Sequence, residues 1–383
     1  MGLFKSDSDK DVSCPHHSLD QDAQDTIVGG LSFYHLSMII SGACSATAII
    51  IMLVFKQLHA THLSNPSEQV KIMRIGNLVT MYSLISFLCL SFPKAAVYID
   101  PWLHLVEGLA LGSFFLLLCD YVSPLHDQRE AYFATKKLGG VKWFRTRWFL
   151  IFQMPFVSLL VSIATDITAA AGVYCEFSSK PRFAKFWLSI IQSISLVASV
   201  LSILQFYKVL KVDLAHHRPL LKLMAFKAIV GLTFLQGIIF WILTDTNTLK
   251  ESDTLTYADL HIGMPNLLIC IEMVPLALFF TWAYPWSVYT DRDGRGNFVQ
   301  VNQPSQPSQP SKSYQGGPFG IYAWFAMINP SETLRATMFA FTEGRKAQRA
   351  TGRADDTDEE RLYDNSYRMR PQGQPAAYAS YGN

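Results

Sequence analysis

The chain has 383 residues, of which 50% are hydrophobic and only 16% are charged, and its formal net charge is +2. Soluble domains carry about 25% charged residues, so this composition is typical of a membrane protein. The near-neutral sum excludes no class of partner, because the distribution of charges along a membrane protein is more informative than their total.

Seven apolar stretches are long enough to cross a bilayer as helices. A hydrocarbon core of roughly 30 Å needs about 20 helical residues. The stretches are continuous apolar runs, whereas the strands of a β-barrel would alternate between apolar and polar residues. The fold class predicted is therefore an all-α, polytopic membrane protein with seven transmembrane helices. The predicted spans are 31–55, 74–92, 101–122, 148–173, 186–207, 223–244 and 262–288.

The loop charges predict the orientation of these spans. With the N-terminus outside and the C-terminus inside (N-out/C-in), the inner loops hold twelve Lys and Arg residues and the outer loops hold five. The positive-inside rule favours this arrangement. One pattern opposes it, because Met1 to Ser6 fits a myristoylation site, which needs a cytosolic N-terminus. So short a pattern also occurs by chance.

The cysteines divide by their predicted compartment. Cys14 and Cys175 would both face the outside or a lumen, so a disulfide bond between them is an open alternative. Cys119 lies near the inner end of the third span, where packing and acylation are both conceivable. The remaining three fall inside spans, where a cysteine is usually a small buried hydrophobe.

The regions outside the spans are polar or of low complexity. We divide the chain into a polar N-terminal tail (1–30), a transmembrane domain (31–288), a Pro/Gln/Ser linker (289–318), an amphipathic segment (319–350) and a disordered acidic tail (351–383). The run Asn329 to Glu332 is typical of a helix start. The helix after it would place Leu334, Met338 and Phe341 on one face. Such a helix is expected on the inner membrane surface.

Polar residues within the spans are the candidates for a functional site. A charge at the centre of a membrane helix costs about 2.5 to 3.5 kcal/mol. Glu272 lies near the middle of the seventh span, so it needs a partner, a proton or water. We predict a substrate or ion path that contains Glu272, Lys227, Glu107, Asp166, Gln236 and Arg74.

Structural roles are the alternatives for these residues. Glu272 could pair with Lys227 or Arg74 as a strut between helices, and Lys227 could instead extend to the interface. Glu107 and Asp166 lie near the outer interface, where hydration makes a charge less costly. Glutamines in spans often join helices without binding a ligand.

Motifs of several other protein classes are missing. The sequence has no Gly-rich phosphate loop, no HExxH, no GxSxG and no His/Cys cluster with metal-ligand spacing. We therefore expect no enzyme activity, no cofactor, no metal and no nucleic-acid partner. A seven-helix receptor is disfavoured, because Cys119-Asp120-Tyr121 ends the third span without a following Arg.

Six short segments, taken together and in order, carry a family resemblance. They are Lys71-Ile72-Met73-Arg74-Ile75, Phe206-Tyr207, Arg218-Pro219-Leu220-Leu221-Lys222, Phe226-Lys227-Ala228, Gln236-Gly237 and Leu268-Ile269-Cys270-Ile271-Glu272-Met273. From about Ser32 to Trp286 the chain resembles the organic solute transporter alpha-like family, which includes the transmembrane protein 184 group. Two positions depart from that pattern. Thr80 stands where many relatives have a proline, and Phe280 stands where animal members often have a histidine.

The resemblance implies a facilitative carrier of amphipathic organic solutes such as steroid-like or lipid-like molecules. Its expected partners are membrane lipid, the solute, and either a small single-span subunit or further copies of the chain. The resemblance also implies an alternative function, an anchor in the vacuolar or endosomal membrane that recruits a ubiquitin-like autophagy protein. For that role the candidate residues are Phe325 and Ile328, whose spacing could fill two pockets of such a partner. A membrane-lying aromatic stretch would explain the same residues. A carrier of this kind could also lie in the plasma membrane.

Overall fold

The computed structural model describes residues 14, 18–19, 25–27, 29–124, 128–135, 140–176, 180–214, 219–246, 252, 254–290 and 314–342. Within these residues, seven helical segments are long and apolar enough to cross a membrane, which confirms the predicted fold class. The only strand-like pairing in the same ranges is an isolated bridge between Ser252 and Leu255. The myristoylation pattern at Met1 to Ser6 and the tail beyond residue 342 lie outside the described residues.

Most of the helices follow one another along the chain with short connections, and a long one separates α9 from α10. They are α1 (Phe33–Thr61), α2 (Pro66–Ser91), α3 (Pro93–Ile99), α4 (Trp102–Val122), α5 (Arg129–Ala134), α6 (Gly140–Ala170), α7 (Ala184–Leu210), α8 (Pro219–Asp245), α9 (Met264–Ala283), α10 (Ile321–Ile328) and α11 (331–342). A π-helical turn, Asp259–Gly263, leads into α9. Together α3 and α4 form the third span.

Several helices extend past the predicted spans. The first continues to Thr61 although its apolar run ends at residue 55, and α2 begins at Pro66, two turns before its apolar run. Polar and basic turns can remain helical outside the hydrocarbon region, so hydropathy alone underestimates the length. Helices α2 and α3 both begin at a proline. Proline is tolerated there because backbone N–H groups in the first turn make no hydrogen bond within the helix.

The bundle has two chemically different ends. At one end Cys14 and Cys175 form a disulfide bond with a Cα–Cα distance of 5.6 Å, which ties the N-terminal region to the loop after α6. This structure therefore selects the bridged alternative. We call this the disulfide end. The opposite end carries segment 314–342, and we call it the tail end.

Aromatic packing holds α4, α6 and α7 together. The Phe115 ring contacts Phe206 at 4.8 Å and Trp148 at 5.5 Å between centroids, and all three side chains are buried. Nearer the disulfide end, Gly108 lets α4 approach α6, because a Cβ at this position would lie 2.9 Å from Pro155 Cα. Small residues permit such close contacts between membrane helices.

Segment 314–342 is folded against the tail end, where the sequence predicted a linker up to residue 318. Gln315 N donates to Leu63 O at 2.8 Å, and Gln57 Nε2 donates to Phe319 O at 3.0 Å. Gly320 has a φ of +79°, and a Cβ there would lie 2.7 Å from Ala60. Glycine is therefore required for the turn that brings this segment onto α1.

Candidate functional site

Helices α8 and α9 each hold a buried oxygen atom without a hydrogen-bond donor in the described residues. One is Glu272 Oε2 and the other is Gln236 Oε1, and neither has a partner among the residues that the structure describes. Gln236 also links the two helices, since its Nε2 donates to Pro265 O at 3.1 Å. An unpaired buried acceptor is costly, so both atoms are suited to meet a proton, a water molecule or a solute donor.

The sequence suggested two ion-pair partners for Glu272, Lys227 and Arg74, and the structure describes the side chain of only the second. The side chain of Lys227 lies outside the described residues, so the pair between Glu272 and Lys227 stays a prediction. Arg74 has other partners. Its Nε donates to Met327 O at 3.1 Å, and its Nη2 donates to Ala326 O at 2.7 Å and to Asn329 O at 2.9 Å.

Arg74 thereby caps the C-terminal end of α10. The last carbonyl groups of any helix lack donors within that helix, and a guanidinium group can satisfy several of them at once. Arg74 is on α2, so this contact joins a membrane span to the C-terminal segment. The structure places Arg74 at the tail end and brings it together with that segment, while Glu272 lies on α9.

A chain of ion pairs continues from Arg74 across the tail end. Arg74 Nη1 lies 2.6 Å from Glu332 Oε2, and Glu332 Oε1 lies 2.7 Å from Lys71 Nζ. Lys71 also pairs with Asp120 of α4 at 2.7 Å, and Asp120 pairs with Arg129. The Lys71, Asp120 and Arg129 side chains are at most 5% exposed. Alternating charges therefore connect α2, α4, α5 and α11.

The electrostatics of Glu332 favour its charged form. Burial opposes ionisation of this carboxyl group, but the ion pairs with Lys71 and Arg74 outweigh burial and hold its pKa below the usual value. Glu332 is therefore a carboxylate at neutral pH. Sequence reasoning used this residue only as a helix cap, because nothing in the local pattern shows its distant partners.

Glu107 and Asp166 lie in separate polar contacts towards the disulfide end. The buried Glu107 accepts hydrogen bonds from the Tyr82 hydroxyl and, at 3.1 Å, from His104 Nδ1. Asp166 Oδ2 accepts from Trp102 Nε1 at 3.3 Å, and Asp166 Oδ1 is buried without a partner in the described residues. The structure does not bring either carboxylate into contact with Glu272. Their part in a path stays a prediction.

Lys56 is a buried cation that sequence reasoning assigned to a loop. It is 2% exposed and lies within α1, where its Nζ donates to Asn77 Oδ1 and Thr80 Oγ1, both at 3.0 Å. Thr80 therefore supplies an acceptor at the position where relatives have a proline. Phe280, at the other departure, is buried with its ring centroid 5.4 Å from that of Phe55.

A lateral groove of about 390 Å³ opens between α7 and α8, with α4 as its floor. Val197 and Leu201 on its rim are 52% and 50% exposed, as expected for side chains that face lipid. All lining side chains are apolar. They belong to Leu111, Leu196, Val197, Val200, Leu201, Ile203, Leu223, Phe226 and Val230, and Gly231 completes the lining.

A largely buried cation lies on α8 towards the tail end. Leu223 lines the groove, and Lys222 precedes it on α8 with its Nζ 4.4 Å from the centre of the Tyr121 ring. Lys222 also donates a hydrogen bond to the Tyr121 hydroxyl. The Lys222 ammonium group therefore lies against Tyr121 of α4, while its backbone is one position beyond the groove lining along α8.

The candidate partner-binding residues lie on the outer face of α10. Phe325 is 69% exposed and Ile328 is 70% exposed. Ala323 faces the bundle and packs with Ala60 and Met73. The described residues contain no group of three or more His, Cys, Asp or Glu side chains that could hold a metal ion.

Comparison with known proteins agrees with these features. The chain is 25% identical over 274 residues to a transmembrane protein 184 homolog of Dictyostelium discoideum, which covers 67% of this chain and 54% of that protein. It is 26% identical over 272 residues to the protein LAZ1 of Arabidopsis thaliana, which covers 63% of this chain and 56% of that protein. The chain thus spans about half the length of these relatives. No solved structure matches it.

The match to a family covers most of the transmembrane domain. Residues 37–289 match the family described as organic solute transporter Ostalpha. This range includes all seven spans apart from the first turn of α1, and it contains the α8–α9 interface and the lateral groove. The chain therefore belongs to the organic solute transporter alpha family.

Proposed function

We propose that the protein is a facilitative carrier of amphipathic organic solutes, with the lateral groove between α7 and α8 as its solute-binding surface. Family membership supports transport, and the groove is the observation that supports the solute class. Ligand sites are commonly apolar clefts of about 300 to 1,000 Å³ with a few polar groups. A groove of about 390 Å³ would accept the apolar part of such a solute.

The neighbourhood of the groove supports a solute with a polar, preferably anionic, end. Lys222 precedes the groove residue Leu223 on α8 and is one position nearer the tail end. Its ammonium group could bind the anionic end of a solute. On α8 and α9, Gln236 and Glu272 offer unpaired oxygen atoms to a donor. An apolar body with one charged end matches this arrangement.

Two glycines of α8 provide a sharp test of the groove. Gly231 lines it and Gly237 does not, and a Cβ at either position would meet no atom within 4 Å. The same substitution can therefore be tolerated sterically at both places. Gly231→Phe should fill the groove, whereas Gly237→Phe should project outside it.

The experiment measures uptake of a radiolabelled steroid sulfate into proteoliposomes that contain the purified protein. We expect saturable uptake by the wild type and by Gly237→Phe, and a strong loss of uptake by Gly231→Phe. Equal uptake by both variants would show that the groove does not bind this solute. Absence of uptake by the wild type would contradict the proposed solute class.

We also propose that the tail end faces the cytosol. The excess of Lys and Arg in the loops at that end supports this orientation, and so does the disulfide bond at the other end, because disulfides persist outside the cytosol. In intact cells an impermeant maleimide should label Arg182→Cys but not Thr135→Cys if the protein lies in the plasma membrane. The reverse pattern would overturn the orientation.

An anchor that recruits a ubiquitin-like protein is a second proposal. The exposure of Phe325 and Ile328 favours it. The helical state of α10 opposes it, because a peptide that adds a strand to its partner must be extended. This proposal therefore requires α10 to leave the bundle and unwind.

A further inference from the structure

Helix α11 has one face on the bundle and an opposite face that is largely exposed. Its bundle face holds Thr333, Ala336 and Ala340, each at most 7% exposed, and Trp148 Nε1 of α6 donates to Ala336 O at 2.8 Å. On the opposite side Leu334 and Met338 are 57% and 65% exposed. Two large apolar side chains in water would be unfavourable, so their surroundings need an explanation.

The position of Phe341 shows which environment this outer face enters. Its ring lies 5.6 Å from the Phe149 ring and 5.4 Å from the Phe156 ring, measured between centroids. Phe149 and Phe156 are 39% and 45% exposed on α6, a span that crosses the membrane. They lie about 10 Å apart along this helix, given a rise of 1.5 Å per residue. Phe341 therefore packs on the lipid-facing side of α6 within its apolar stretch.

Because Phe341 reaches the lipid-facing surface, Leu334 and Met338 lie beside the same leaflet. Spacings of three and four residues put Leu334, Met338 and Phe341 along one side of a helix. Arg335 is exposed at the edge of this side. An apolar stripe with a cation at its edge is typical of helices that bind a membrane interface.

We propose that α11 is a docked interfacial helix, which binds the bundle with one face and inserts Leu334 and Met338 into the adjoining phospholipid leaflet. Arg335 then meets the phosphate and carboxylate groups of anionic lipids. Exposed Lys142, Lys208 and Lys211 at the same end of the bundle add positive charge near those headgroups. The proposal goes beyond solute transport and does not depend on it.

The test uses the full chain in lipid nanodiscs, with a nitroxide spin label at one introduced cysteine. Leu334→Cys and Met338→Cys are suitable because both side chains are exposed. Ile194→Cys, 65% exposed on α7, is the reference for lipid, and Thr135→Cys, in the exposed turn after α5, is the reference for water. Wild type treated with the same spin label corrects for any labelling of the native cysteines. The measurement compares collision of the label with oxygen and with a water-soluble nickel complex.

We expect the oxygen-to-nickel collision ratio at positions 334 and 338 to approach the ratio at 194 and to exceed the ratio at 135. Replacing phosphatidylcholine partly by phosphatidylserine should raise it further, and Arg335→Gln should reduce that increase. Ratios equal to that of position 135 in both lipid mixtures would overturn the insertion. Equal ratios with and without phosphatidylserine would overturn the role of Arg335. An aqueous ratio whose two collision rates both fall only when another protein is added would overturn the insertion and assign this face to a protein partner instead.

Discussion

Arg74 and Glu332, 258 positions apart in the sequence, form an ion pair of 2.6 Å that fastens the C-terminal segment to the second transmembrane helix. Arg74 also binds three carbonyl oxygens at the end of α10, and Glu332 also binds Lys71. Helices α10 and α11 are thereby attached to Arg74 and Lys71 of α2, and Lys71 is in turn paired with Asp120 of α4. This attachment is the basis of the first two predictions.

Glu332→Gln should loosen the C-terminal segment without unfolding the bundle. It removes the negative charge between Lys71 and Arg74. We expect the free energy that holds the segment on the bundle to fall by about 1 to 2 kcal/mol. Hydrogen bonds to charged groups are strong, but the Glu332 side chain is 40% exposed and solvent weakens its ion pairs. Amide hydrogen exchange of residues 321–328 should then accelerate by roughly 5- to 30-fold. Arg335→Gln is the control on the same helix, and in phosphatidylcholine without anionic lipid its exchange should match that of the wild type.

The same contact should depend on pH in the acidic range. The pKa of Glu332 is lowered in the folded protein, so its contribution is present above the unfolded pKa of about 4.5 and is lost as the pH falls through the folded value. Exchange of residues 321–328 in the wild type should therefore rise towards the Glu332→Gln level only below about pH 4.5. A rise already at pH 6 would identify a different titrating group.

At the disulfide end, Glu176 should make stability depend on pH in the opposite direction to Glu332. Burial raises the pKa of Glu176 to about 7, although Lys185 partly counteracts it. A raised pKa stabilises the fold below the unfolded value, and this stability is lost as the pH rises through about 7. Reduction of the adjacent Cys14–Cys175 bond by a phosphine should therefore become faster between pH 5 and pH 8. Glu176→Gln should weaken this pH dependence, and an unchanged pH profile would contradict the assignment.

The sequence was sufficient for the helices because each apolar run is long and uninterrupted. The ends of α1 and α2 were less predictable, since a polar turn such as Lys56 to Thr61 can be helical or not without a change in hydropathy. Lys56 itself was read as a loop charge, but Asn77 and Thr80 of α2 accept its hydrogen bonds. Only the packing of α1 on α2 reveals those acceptors.

The candidate path residues illustrate the same limit of sequence reasoning, and their role in transport stays a prediction. Glu272 and Gln236 could be selected because a polar group in a span is costly wherever it points. Arg74 was placed on the path by the same reasoning, and its contacts with α10 and Glu332 depend on a segment more than 250 positions away. The groove could not be predicted, because apolar residues that line it have the same pattern as apolar residues that face lipid.

Glu272→Gln tests the path directly. If the carboxylate takes part in transport, this nearly isosteric change should reduce the initial uptake rate about tenfold, equivalent to about 1.4 kcal/mol in the barrier, while the protein stays folded. Lys227→Met should give a related defect if the two residues interact. Normal uptake by both variants would place the path elsewhere. If each single variant unfolds and the double variant is stable, the residues form a structural pair.

The alternative anchor function makes a prediction that links Arg74 to Phe325. Strand addition requires α10 to unwind, and unwinding requires loss of the hydrogen bonds from Arg74 to Ala326, Met327 and Asn329. Arg74→Gln should therefore strengthen binding of a ubiquitin-like autophagy protein, because the segment is released more easily.

The measurement is a pulldown of the full-length protein in detergent, without lipid, at tens of micromolar partner, a range typical of weak peptide recognition. Phe325→Ala with Ile328→Ala should abolish binding in the wild type and in Arg74→Gln alike. Tyr322→Ala is the matched control, since this aromatic side chain is 63% exposed on the same helix and lies outside the two-pocket spacing. If Arg74→Gln binds no better than the wild type, α10 does not act by unwinding. If neither protein binds at all, the recruitment function has no support from Phe325 and Ile328.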